Sequence, residues 1–185
     1  MEKQRNTQMF VIAILAVAVL AMSVGFANYT TKLDINGEAT VKKASWNIAF
    51  DTATYAETSG SVTVDPSDRT ITGTSVTYAV TLTKPGDFYE FTINVKNSGT
   101  FNANLIGITM SALTAEQQKY LTYTLTYNGA EYTATASDLS LALNASSTVP
   151  VKVRVEYIQP DDAADLPASD VVVPLTASLT YQQAA

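Results

Sequence analysis

An all-β fold, an immunoglobulin-like two-sheet antiparallel sandwich preceded by an N-terminal apolar helix, is what this 185-residue sequence predicts. Three observations carry the prediction. From Leu33 onward, apolar and polar residues alternate with period two in run after run, as they do in strands with one dry and one wet face. Between the runs fall residues that preset φ or accept a positive one. At the N-terminus an uncharged apolar run, residues 9–27, MFVIAILAVAVLAMSVGFA, shows no polar face, so it does not read as a core helix.

That first element reads as an export signal. Lys3 and Arg5 precede the run, which ends in the small-x-small triplet Gly25-Phe26-Ala27, the pattern a signal peptidase cuts. Cleavage would fall between Ala27 and Asn28. A retained membrane anchor is the competing reading, since a helix of this length comes close to spanning a hydrocarbon core of about 30 Å. The small residues Ala21, Ser23, Gly25 and Ala27, and the lack of a basic stop-transfer cluster after them, favour cleavage. In both readings only residues 9–27 meet the membrane, and everything downstream is secreted or displayed on the cell surface.

Residues 28–43, NYTTKLDINGEATVKK, follow as an extended segment in which Leu33, Ile35, Ala39 and Val41 alternate with polar neighbours. The sandwich domain is expected over residues 44–185. Its first strand reads as WNIAF, with Trp46 the candidate core centrepiece; then come a strand over residues 77–83 and one from Phe88 through Val95. LIGITM, LTYTLTY, TVPVKVRVEY and a last strand over residues 175–181 complete the set. Threonine, valine and tyrosine dominate these runs and suit a pleated, half-buried surface. In LTYTLTY, Leu121, Tyr123, Leu125 and Tyr127 share a face and read as core. Only TAEQQKY, residues 114–120, has a helix-start pattern, for two turns at most.

Turn chemistry marks the joints. Asn128-Gly129 between LTYTLTY and AEYTA is the strongest hairpin signal in the chain. Pro85 and Gly86 in Lys84-Pro85-Gly86-Asp87 fix a reversal, with Asp87 capping its own turn, and Asn97-Ser98-Gly99 closes the strand that follows. The arrangement of LTKPGD, an alternating strand, NSGT and Ala103-Asn104-Leu105, behind a signal ending in Gly-Phe-Ala, resembles the TasA and camelysin family of exported matrix-fibre proteins. The resemblance implies assembly into extracellular fibres in which the N-terminal segment of one subunit completes the sheet of the next.

Composition removes other classes. Cysteine and histidine are both absent, which takes away disulfides, thiolate chemistry, the commonest general base and the commonest zinc ligand. The metalloprotease activity ascribed to some members of the resembled family therefore does not carry over. No Ser-x-x-Lys or Gly-x-Ser-x-Gly stretch occurs, so no catalytic residue, metal or other cofactor is expected. Asp161, Asp162 and Asp165 form the densest acidic group, and a solvated loop explains them better than a calcium site, whose spacing they do not match. A net charge of −6 with no basic cluster argues against nucleic acid.

Function is then read from the backbone. A sandwich has edge strands whose unpaired groups must be protected or used. Residues 28–43 suit a donor strand that pairs along a neighbour's edge, giving a homo-polymer. They equally suit the first strand of their own domain, because exchange between subunits and pairing within one leave the same sequence pattern. A membrane-anchored surface adhesin or binding module is the other function class in play.

Overall fold

The computed structural model describes residues 2–25, 36–57, 62 and 64–184. The chain falls into two units, Met1–Val41 and Lys42–Ala185. The first contains the helix α1, Glu2–Gly25. Nothing in its sequence breaks a helix, and Thr7 turns its hydroxyl onto the Lys3 carbonyl at 2.9 Å rather than competing for a non-helical turn. Large apolar side chains from Met9 to Leu20 are 52–69% exposed, with none hidden on a preferred face. Among the described residues no helix is long and apolar enough to cross a membrane; the apolar run of the sequence, residues 9–27, continues past the last of those contiguous residues.

The second unit is predominantly β and sandwich-like, built from ten strands among the described residues. They are β1 (Ile48–Glu57), β2 (Arg69–Ile71), β3 (Val76–Tyr78), β4 (Phe88–Asn97), β5 (Ala103–Met110), β6 (Leu121–Tyr127), β7 (Ala130–Tyr132), β8 (Leu141–Leu143), β9 (Thr148–Tyr157) and β10 (Ala177–Gln183). A five-stranded sheet runs β1-β4-β9-β6-β7, a three-stranded sheet β10-β5-β8, and β2 and β3 form a short ribbon. All pairings are antiparallel.

Period-two patterning sets which residues form the core. In β4, Tyr89, Phe91, Ile93 and Val95 are each at most 2% exposed; alternate residues of β9 and β6 join them, as do Ala103, Leu105, Ile108, Met110 and Leu143 from the three-stranded sheet. Each such side chain withdrawn from water contributes about 1.5–3 kcal/mol. Within β5 the buried phase slips from odd to even numbers. Opposite Thr180 and Tyr181 of β10 lie Gly107 and Leu105, so Ile106 is an extra residue, a bulge that turns the rest of the strand over.

Turn signals are realised as read. Asn128 at φ 48° and Gly129 at φ 85° form the two-residue turn with both centres at positive φ that matches strand twist, and Tyr127 pairs with Ala130 across it. Leu121, Tyr123, Leu125 and Tyr127 are buried as expected. TAEQQKY shrinks to one short 3-10 turn, Gln117–Lys119. It is closed by reciprocal bonds between Thr114 and Gln117.

Three expectations are corrected. Trp46 is 47% exposed and lies before β1; only Ile48 and Phe50 of WNIAF reach the core, whose centre is Tyr89, Phe91 and Tyr127. The strand expected over residues 77–83 stops at Tyr78, and residues 79–83 join no ladder among the described residues. The reason is that β4 has both edges occupied by β1 and β9, so the arriving chain cannot fold back on it as a hairpin. Residues 36–43 lie in no strand among the described residues, and Ala39 and Val41 are exposed. The last strand lies two residues later than read, at Ala177–Gln183.

Candidate assembly surface

The motif at the two ends of β4 is structural. Pro85 and Gly86, the latter at φ 93°, carry a reversal closed by the Asp87 amide donating to the Lys84 carbonyl at 3.0 Å. The Asp87 carboxylate, 3% exposed, accepts from the Thr83 amide (2.9 Å), the Thr83 hydroxyl (2.8 Å) and the Lys84 amide (3.1 Å). Three donors on one oxygen repay the burial of a charge. Gly86 also donates to the Tyr157 carbonyl at 2.7 Å, tying the turn to the end of β9.

At the other end, Asn97 is 1% exposed. Its amide group donates to the carbonyls of Phe101 (2.9 Å) and Leu143 (3.1 Å), and its oxygen accepts from the Gly99 amide (3.0 Å). Gly99 serves close approach, not positive φ: a Cβ there would sit 2.6 Å from the Ser45 carbonyl oxygen and 2.9 Å from the Asn47 nitrogen. The segment entering the sandwich is therefore clamped. Thr100 donates to the Ser45 carbonyl at 2.9 Å and Ser98 to the Asn47 carbonyl at 2.8 Å.

Upstream of that clamp, residues 36–45 are all exposed, Val41 at 93%. Gly25 is the last residue of α1. Ala27, Asn28, Leu33 and Ile35 lie outside the described residues. Of the sites read from sequence, the structure thus places Pro85, Gly86 and Asp87 at one end of β4, Asn97 and Gly99 at the other, and leaves Ala39 and Val41 in solvent.

Sequence reading missed the rims. β7 and β8 have three residues each, too short to template much pairing. The outer side of β1 is interrupted, because Phe50 donates to the Gly73 carbonyl at 2.7 Å and the strand is irregular between Asp51 and Ala56. β10 is different. The Ser111 amide donates to Thr176 and the Ala184 amide to Asn102, so even-numbered residues bond β5. By the alternation of an antiparallel ladder, Ala177, Leu179, Tyr181 and Gln183 point their backbone groups the other way. Exposed Val171 (49%) and Val172 (93%) precede this rim; three consecutive valines beside a proline were the signal that could have found it.

The acidic loop does other work. Asp162 caps a short 3-10 turn by accepting from the Ala164 amide at 2.9 Å, and Asp165 pairs with Lys119 at 3.0 Å. Inside, hydroxyls cluster: Tyr55 and Tyr89 share a hydrogen bond at 2.6 Å, and each hydroxyl lies 3.2 Å from the Glu57 carboxylate. Arg69 pairs with the same carboxylate and its guanidinium lies 4.8 Å from the Tyr55 ring centre. Burial pushes the phenols of Tyr55, Tyr78, Tyr89, Tyr123, Tyr127 and Tyr181 upward from their ordinary value. On the opposite face of β4 and β9, Arg154 lies 3.7 Å over the Phe88 ring and bonds Glu156, while Glu90 receives Lys152 at 3.4 Å and Arg154 at 3.5 Å. These groups brace the sheet, each cation facing a carboxylate.

No family model matches the chain, and no curated protein matches it.

Proposed function

We propose that this chain is a structural subunit of an extracellular fibre or biofilm matrix, an exported immunoglobulin-like sandwich that polymerises by strand addition and carries no catalytic centre. The observation that supports it is the state of residues 36–43: alternating, fully exposed and outside any strand, directly before a segment clamped into the sheet by Ser98 and Thr100. An amphipathic stretch left in water beside an anchored strand gains main-chain bonds and apolar burial when it finds a sheet edge. With signal cleavage after Ala27, the freed donor would begin at Asn28. Its alternating positions Leu33, Ile35, Ala39 and Val41 would face the neighbour's core.

Electron microscopy of the exported protein tests this. The full mature chain forms fibres, and deleting residues 28–36 removes them while the β-type circular dichroism spectrum is kept. Fibres of normal length from the truncated chain refute the donor role; unfolding of the truncated chain shows that the segment is needed at home.

The second reading is a membrane-anchored adhesin. It is favoured by α1, whose apolar side chains are exposed on all sides, a composition suited to lipid. N-terminal sequencing of the exported protein separates the two: Asn28 as first residue means release, an intact apolar run means an anchor.

A further inference from the structure

We infer that the free edge leading into β10, residues 169–176, is the acceptor for residues 36–43 of a second copy, paired antiparallel with Val41 opposite Val171. This rests on the strand-addition reading and specifies its partner surface. Three observations converge on that edge.

The first is availability. Besides the outward backbone groups of Ala177, Leu179, Tyr181 and Gln183, residues 171–175 make no backbone hydrogen bond among the described residues. Yet they have the burial rhythm of a strand: Val172 93% exposed, Val173 half-buried against the core, Pro174 exposed, Leu175 half-buried. A strand's side-chain pattern without a ladder is an edge waiting for a neighbour. Pro174 does not obstruct it. Even-numbered residues face the β5 side, so the missing N–H is absent from the far side of the rim.

The second is register. The core-facing residues of the edge are odd-numbered, Val173, Leu175, Leu179 and Tyr181, and so are the apolar residues of the arm, Ala39 and Val41. An antiparallel register that sets Val41 against Val171 also sets Ala39 against Val173 and Gly37 against Leu175. Ala39 and Val41 then land on the core side, and the backbone groups of residues 171, 173 and 175 meet those of 41, 39 and 37. The sequence upstream, with apolar positions 33 and 35, keeps the same phase.

The third is charge. Residues 28–43 carry Lys32, Lys42 and Lys43 against Asp34 and Glu38, a net +1, whereas from Ala44 onward six bases face fourteen acids, a net −8. A cationic arm and an anionic body attract between copies. The direction agrees: with Val41 opposite Val171, antiparallel pairing sets Lys42 beside the exposed Asp170, whereas parallel pairing sets it beside Val172.

The chain has no cysteine, so disulfide trapping is clean. The full-length chain is exported as two single variants, Val41→Cys and Val171→Cys, and the mixture is oxidised with diamide and run on non-reducing gels, with the same samples imaged for polymers. Both positions are exposed. The expected result is a mixed dimer several-fold more abundant than the homodimer of either variant alone. Equal or stronger homodimers of Val171→Cys would show two β10 edges pairing with each other and overturn the inference. Polymers without the mixed dimer, with Val41→Cys trapping Ala53→Cys on β1 instead, overturn the acceptor assignment but leave the fibre reading standing. A mixed dimer that never extends into polymers supports the rim and sinks the fibre. Neither polymers nor mixed dimer overturns both.

Discussion

Gly99 shows what a single missing carbon does in this fold. Space for it is already taken by the Ser45 carbonyl oxygen and the Asn47 nitrogen, both backbone atoms that cannot rotate away. Gly99→Ala should therefore push the entering strand off the sheet and lower unfolding stability by about 1–3 kcal/mol, measured by urea denaturation. Tyr78 makes the opposite case. Its hydroxyl is buried near that of Tyr123 but has no hydrogen-bond partner in good geometry, so Tyr78→Phe should leave stability unchanged or raise it by about 1 kcal/mol. A clear loss would show the hydroxyl to be bonded. The remaining buried phenols predict an alkaline limit. Burial raises their pKa values in the fold above the ordinary phenol value of about 10, so the folded state holds protons that the unfolded state releases. The stabilisation is complete below that pH and is lost above it, with a slope of at most about 1.4 kcal/mol per pH unit for each group. Urea midpoints should fall as pH passes 10, and Tyr181→Phe should flatten the fall.

At the level of elements, what separates β10 from the other edges is how little protects it. Three-residue strands at β7 and β8 leave no long template, and the outer side of β1 is interrupted by Gly73. The edge from Asp170 through Gln183 has none of these devices, and it exposes Val171 and Val172. Val41→Asp is accordingly expected to suppress polymers without moving the unfolding midpoint. Its side chain is 93% exposed, while in a paired edge it would contribute about 1.5–3 kcal/mol of burial. Fibre yield and thermal unfolding, measured on the same preparation, separate these effects; a matching drop in both would place Val41 in the subunit's own core.

For the whole molecule, charge distribution controls association more than fold. The acidic excess lies from Ala44 onward and the cationic excess before it, so assembly should slow as salt rises. Screening shortens the reach of these fields to about 8 Å at physiological ionic strength. Polymerisation rates followed by light scattering should fall severalfold between low and high salt, whereas the folded state, held by a continuous apolar core, should change little. Asp170→Lys should slow assembly at low salt, and Lys42→Asp in the same chain should restore it. Restoration by charge exchange, without change in composition, is the outcome a merely structural role for Asp170 does not give.

The amino-acid order alone determined the all-β character, the buried faces of β4, β6 and β9, the Asn128-Gly129 hairpin and the turn at Pro85 and Gly86. Each follows from interactions a few residues long: period-two alternation and φ preferences act locally and survive in any register. What only the tertiary structure decided is where strands are absent. Residues 79–83 carry a strand-like pattern but find no open edge on β4, since β1 and β9 already occupy both its sides; residues 36–43 and 171–175 carry the same pattern and lie in no ladder among the described residues. Alternation reports that a segment can lie on a sheet. Whether it does depends on a partner edge supplied by residues far away in the chain, or by another copy, and that competition for backbone hydrogen bonds is settled in three dimensions.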